Sequence, residues 1–193
     1  MNAYLRQLGT SFRFLAVATP LLGVLYPLVM FGVGQAVASA QANGSIAQLN
    51  GQPAASTLIV QAVPDKETRF FFPRPSAVKW DPTMSGASNL GPSDPALAKA
   101  EADARTAVAA REGVPESAVP QDAVTASASG LDPDISPAYA QLQVPRVAKA
   151  TGLSVAEVEK LVADSTNTPA MSLLGQPAVN TTKLNLAVAT RLK

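Results

Sequence analysis

No charged side chain lies between Arg13 and Asp65, and that gap constrains the fold more than any other feature of the chain. Within it, Phe14 to Gly34 reads FLAVATPLLGVLYPLVMFGVG. At about 1.5 Å per residue this run spans roughly 31 Å, which matches a hydrocarbon core of about 30 Å. A helix lying on a soluble core would carry a polar stripe at a 3.6-residue period, and this stretch carries none. The reading is a transmembrane helix over residues 14–37, preceded by a short tail (1–13). A linker (38–53) and one folded domain (54–193) follow.

A cleaved secretory signal is the competing reading, because Ala38-Ser39-Ala40 offers an A-x-A site behind a basic segment. Signal cores usually run about 7–15 residues, and this one is longer. Arg6 and Arg13 sit on the short side with no acidic residue to offset them. The positive-inside rule therefore predicts a cytoplasmic N-terminus and an extracytoplasmic domain. Within the span, Pro20 and Pro27 remove backbone donors, so some carbonyls must find other partners. Thr19 and Gly23, like Gly32 and Ala36, are small pairs four residues apart that allow close helix packing.

Removing Arg6 and Arg13 from the 15 basic residues leaves 13 against 14 acidic ones. That balance argues against nucleic acid, which needs a concentrated basic face. The chain has neither cysteine nor histidine. Disulfides, a Ser-His-Asp triad, a cysteine nucleophile and the usual zinc ligands are thereby excluded within it. Asp132-Pro133-Asp134 resembles half of a calcium loop without its downstream ligands, and a turn around Pro133 accounts for it better.

Local signals predict a mixed α+β domain. Thr57–Val63 and Thr68–Phe72 read as short strands, and Val119–Ser129 as a strand running into a loop. Gln35–Pro53 reads as a continuation of the membrane helix that becomes a flexible connector, and Trp80–Pro95 as a long ordered loop or a lid. Asp94-Pro95 and Ser136-Pro137 are helix starts. Gly113 and Pro115 end the first of these helices, and Pro145 is expected to kink the second. Ser154 and Glu157 form a capping box, with Leu153 and Val158 as its staple and Val155, Val158, Leu161 and Val162 as the apolar face. A last helix is expected over Lys183–Leu192.

A series of strings then accumulates: QANGS at Gln41–Ser45, RPSA at Arg74–Ala77, SGASNLGPSDP at Ser85–Pro95, VTASASGLDPDISP at Val124–Pro137, QVPRVAKATGLS at Gln143–Ser154, GQPAVN at Gly175–Asn180 and LNLA at Leu184–Ala187. In this order, behind one N-terminal span, they resemble the C subunit of the Kdp potassium-transporting P-type ATPase. The likeness covers nearly the whole chain. Three departures stand out: Val60 in place of glycine, Thr151 in place of arginine, and the polar run Asn180-Thr181-Thr182.

The resemblance implies a single-pass protein of the bacterial inner membrane within a complex that imports potassium at the expense of ATP. Its partners would be a channel-like potassium-binding subunit, a P-type pump subunit and a small single-span subunit. ATP and potassium would act at the level of the complex, with no cofactor held by this chain. A P-type pump is phosphorylated at a D-K-T-G-T motif, which is absent here, so hydrolysis is expected on another chain. The family is described as raising the pump subunit's affinity for ATP. On that reading the nucleotide-linked candidates are Ser127, Ser129, Gly130, Asp132 and Gln143. The alternative is a purely structural cap and helix anchor near the potassium entrance.

Overall fold

The computed structural model describes residues 2–168 and 175–192, and the chain divides into two compact units, Met1–Ser45 and Ile46–Lys193. The first is built on one apolar helix, Ala3–Val37. It consists of α1 (Ala3–Pro20), a wide π turn (Leu21–Leu25) and α2 (Tyr26–Val37). The helix thus begins well before residue 14 and takes in the segment expected to be a tail. The π turn lies between the two prolines, and the N–H of Tyr26 donates to the Leu21 carbonyl five residues back. A short α3 (Ser39–Ala42) follows. The amides of Gln35 and Asn43 there exchange hydrogen bonds at 3.0 and 3.3 Å.

The second unit opens on an antiparallel hairpin, β1 (Ile46–Leu49) with β2 (Gln52–Ser56). Its turn is Asn50-Gly51, with φ of 53° and 79°, the backbone that an Asn-Gly pair favours between strands. The flexible connector expected up to Pro53 is therefore partly a helix and partly a hairpin. A second sheet pairs β3 (Asp134–Ile135), β5 (Ala178–Asn180) and β4 (Thr166–Asn167), with β5 in the centre.

Helices supply most of the core. They are α4 (Pro95–Glu112), α5 (Pro137–Thr151), α6 (Val155–Asp164) and α7 (Thr181–Arg191). Asp94 caps α4 at the amide of Ala96, and Gly113 ends it in the left-handed region. Ser136 caps α5, which runs unbroken through Pro145. The capping box of α6 is complete: Ser154 accepts from Glu157 N–H, and Glu157 accepts from Ser154 N–H. Tyr139, Val144 and Val147 of α5 pack with Val158 of α6, Leu184 and Val188 of α7, and Phe71. Val155, expected on the apolar face of α6, is half exposed.

Three segments expected to be strands are not. Thr57–Val63 and Thr68–Phe72 are extended or turned, and apart from the Val60 N–H, which donates to the Leu131 carbonyl, the bonds that hold their main chains come largely from side chains and not from a neighbouring strand. Phe72 donates to Gln143 Oε1 at 2.7 Å and its carbonyl accepts from Gln143 Nε2 at 3.1 Å. Phe71 makes the same pair of bonds with Asn185, at 2.7 and 2.9 Å. In the first segment, the carbonyls of Thr57 and Ile59 accept from Asn180 and Thr182. The third, Val119–Ser129, begins beside the 3₁₀ turns Glu116–Ala118 and Gln121–Ala123, where Pro115 and Pro120 fix the backbone.

Candidate functional site

Loop 127–134 carries most of the nucleotide-linked candidates, and hydroxyl groups fold it. Ser127 Oγ accepts from the amides of Gly130 (3.1 Å) and Asp132 (3.4 Å). Ser129 Oγ lies 3.2 Å from it and accepts from Leu131 N–H at 3.1 Å. Asp132 Oδ1 accepts from Asp134 N–H at 2.9 Å, closing the turn around Pro133. A second loop clamps the first from outside: Ser127 N–H donates to the Pro75 carbonyl, Gly86 N–H to Ser129 O, and Ser76 Oγ to Gly130 O.

Gly130 is the tightest point of this clamp. Its φ is +72°, and a Cβ there would stand 2.5 Å from a Val78 methyl and 2.8 Å from the Gly86 carbonyl oxygen. Glycine is required on both counts.

Beside this loop lies an open cleft of about 720 Å³, lined by Thr57, Leu58, Ile59, Arg74, Ser127–Ser129, Leu131–Asp134, Asn180 and Lys183. Arg74 Nη2 pairs with Asp132 Oδ2 at 2.6 Å. Its Nε is the one buried side-chain polar atom without a partner among the described residues. Burial, and then the neighbouring Asp132 carboxylate, push the Asp134 carboxyl above its ordinary range. A hydrogen bond to Asn180 and the charges of Lys183 and Arg74 work the other way. The cleft therefore presents two cations and two carboxyl groups, with an apolar wall of Leu58, Ile59, Leu131 and Pro133.

The structure brings Ser127, Ser129 and Asp132 together at this cleft, while Gly130 lies behind it against the clamping loop. Gln143 does not reach it. That side chain is fully buried on α5, where it grips Phe72 and also accepts from Arg146 Nη2 at 2.8 Å. Arg146 in turn bonds the carbonyls of Thr68 and Phe70 and pairs with Glu112, whose side chain is fully buried. Arg111 pairs with the same carboxylate, donates to the Tyr139 hydroxyl, and lies 4.0 Å from the Phe72 ring centroid. Gln143 and its neighbours thus fix the extended segment that ends at Arg74.

Sequence reading missed Asn180, Lys183 and the Thr57–Ile59 wall. Their signal was the polar run Asn180-Thr181-Thr182, noticed only as a departure. Asn180 caps α7 and holds Thr57, Thr181 Oγ1 donates to the Pro133 carbonyl, and Thr182 Oγ1 to Ile59. The polarity ties both cleft walls to one helix end. Of the other departures, Val60 is buried and donates to Leu131 O, and Thr151 Oγ1 bonds the Val147 carbonyl.

In the apolar unit, Thr19, Gly23, Gly32 and Ala36 are exposed. A Cβ on Gly23 or Gly32 would meet nothing within 4 Å.

Comparison with known proteins covers almost all of this architecture. A family model described as KdpC, the c chain of the K⁺-transporting ATPase, matches residues 8–190. The potassium-transporting ATPase KdpC subunit of Kineococcus radiotolerans is 50% identical over 186 residues, covering 95% of this chain and 93% of that protein. Those of Beijerinckia indica and Mycobacterium tuberculosis are each 42% identical, over 97% and 95% of this chain and 95% and 97% of theirs.

Proposed function

The chain belongs to the KdpC family of potassium-transporting ATPase subunits, and on that premise we propose that it is a non-catalytic subunit acting on the pump through its membrane helix. ATP hydrolysis falls to another chain, which carries the phosphorylated aspartate. The partners are the channel-like, pump and small single-span subunits of the complex, in the bacterial inner membrane.

The observation that carries this reading is charge placement. Arg6 and Arg13 lie in the N-terminal part of an apolar helix that is otherwise uncharged, and the folded domain follows that helix in the chain. The positive-inside rule then assigns the domain to the side away from cytoplasmic ATP. Any effect on ATP affinity is a coupling between sites, carried by the membrane helix as a bias on the pump's conformations. The cleft agrees with that reading. A polyphosphate entering it would meet the carboxyl groups of Asp132 and Asp134 as well as Arg74 and Lys183.

The test uses the absence of native cysteine. Ala98→Cys, exposed on α4, should react with a membrane-impermeant maleimide in intact spheroplasts. Protection until lysis would place the domain in the cytoplasm and refute the indirect route.

A further inference from the structure

The apolar helix is longer than the layer it would cross. Ala3–Val37 contains 35 residues, about 52 Å at 1.5 Å each, against a hydrocarbon core of about 30 Å. Membrane helices tilt by up to about 40°, and at that limit this one still projects about 40 Å along the bilayer normal. The surplus belongs to the N-terminal end, because Arg6 and Arg13 are the only charged side chains on the helix and hydrocarbon excludes unpaired charge. Residues 14–37 alone cross the core at a tilt of about 34°. Residues 3–13 then lie in the headgroup layer beyond it.

That segment has two faces. At about 100° per residue, Tyr4, Leu5, Leu8 and Phe12 share one arc of about 100°, while Arg6, Thr10 and Arg13 share the opposite side. The four apolar side chains are 61–80% exposed, so nothing in their own unit covers them. Neither arginine has an ion-pair partner among the described residues, and the first carboxylate in the chain is Asp65. Thr10 Oγ1 donates to the Arg6 carbonyl at 3.0 Å, which leaves the two guanidinium groups as the charged donors of that face.

We propose that residues 3–13 bind the anionic lipid surface of the cytoplasmic leaflet. The stripe of Tyr4, Leu8 and Phe12, with Leu5 beside it, enters the headgroup layer on the underside of the leaning helix, and Arg6 and Arg13 pair with lipid phosphates. Charge and continuity both select lipid as the occupant. Lipid phosphates supply the counter-charge that this part of the chain lacks, and the stripe runs on through the exposed Leu15 into the span. The span leans toward the side that carries the stripe, because the opposite lean would immerse the arginines and lift the apolar side chains into water. The inference rests on the spanning and positive-inside reading and deepens the proposed function by making lipid charge a regulator of the helix's tilt.

The experiment uses nanodiscs, whose two leaflets are alike, so that orientation does not matter. The full chain carries a nitroxide on Leu8→Cys, Thr10→Cys or Val29→Cys, one chain per disc, in phosphatidylcholine with or without phosphatidylglycerol. Relaxation by a neutral, water-soluble nickel chelate reads exposure. With phosphatidylglycerol present, the label at position 8 should be shielded about threefold better than the label at position 10. Arg6→Gln combined with Arg13→Gln should abolish the dependence on phosphatidylglycerol, each arginine strengthening attachment to the charged surface about fivefold. Equal exposure at positions 8 and 10, or shielding at position 8 indifferent to phosphatidylglycerol, would overturn the inference. So would shielding that rises with the number of chains per disc, which gives the stripe to a second copy of this chain. Shielding that persists without phosphatidylglycerol in the complete complex would overturn it too, by giving the stripe to a partner subunit. A label at position 29 as exposed as the one at position 10 would instead refute the spanning reading beneath it.

Discussion

Replacing Gln143 by leucine should destabilise the folded domain severely, although this side chain does not itself line the cleft. The side chain is fully buried and satisfies three groups: the N–H and carbonyl of Phe72 and one N–H of Arg146. Leucine matches its bulk but offers none of these bonds. Two buried backbone groups stranded in this way cost about 1–3 kcal/mol each, and the arginine loses one of several acceptors. A total of about 3–5 kcal/mol follows, which is a large share of the roughly 5–15 kcal/mol that holds a domain together. The melting temperature should fall by on the order of 10 °C.

Trp80 is the single tryptophan, and its indole N–H donates to the Arg74 carbonyl at 3.0 Å. Its fluorescence therefore reports on the segment that Gln143 secures. Thermal unfolding of the full chain in detergent, followed at Trp80, gives the measurement. Gln141→Leu, one residue pair away and bonded only at the surface to Glu159, serves as the reference. If Gln143→Leu melted within about 1 kcal/mol of it, the clamp would be dispensable and the argument from buried bonds would fail.

Gly130→Ala and Gly152→Ala should separate backbone strain from crowding. Both glycines hold a positive φ, +72° and +75°, but only Gly130 has atoms where a Cβ would go. Gly152→Ala should cost about 1–2 kcal/mol and Gly130→Ala roughly twice that or more in the same melting assay; equal costs would mean that the Val78 loop simply gives way. Asp134→Asn tests the cleft electrostatics. Because the folded carboxyl titrates above its ordinary value of 3.8, the folded state binds more protons than the unfolded one. Its stabilising contribution is then present below that value and lost as pH rises through the raised one. The asparagine variant should lack this fall in stability, and a pH profile identical to wild type would refute the assignment.

Helix ends were legible because each is written in two to four adjacent residues. Asp94-Pro95, Ser136-Pro137 and Ser154 with Glu157 each cap the helix expected of them. The hairpin carried a signal of equal quality in Asn50-Gly51, but its strands, IAQL and QPAAS, are poor in β-branched residues and read as connector. The opposite error was made at TRFFF and TLIV, whose composition suits strands. Pairing there goes to Gln143, Asn185, Asn180 and Thr182, as much as 123 residues away, and no local pattern announces such partners. In the candidate site, the serines and Asp132 were legible through family resemblance. Lys183 and the Leu58–Ile59 wall come from distant segments that only the tertiary fold brings together.

Glu112 sits with no exposed side-chain surface between Arg111 and Arg146. Burial lowers the basicity of Arg146, and the Glu112 carboxylate offsets this. Losing the glutamate alone leaves the nearly buried Arg146 guanidinium without its counter-charge, a cost of about 3–5 kcal/mol, whereas exchanging all members for apolar residues of similar volume is often neutral. Evolution at this spot therefore has two habitable states, fully charged or fully apolar, with no passable single step between them. Relatives that have left the charged state should have changed positions 112 and 146 together, and a substitution at either one can be judged only with the other in view.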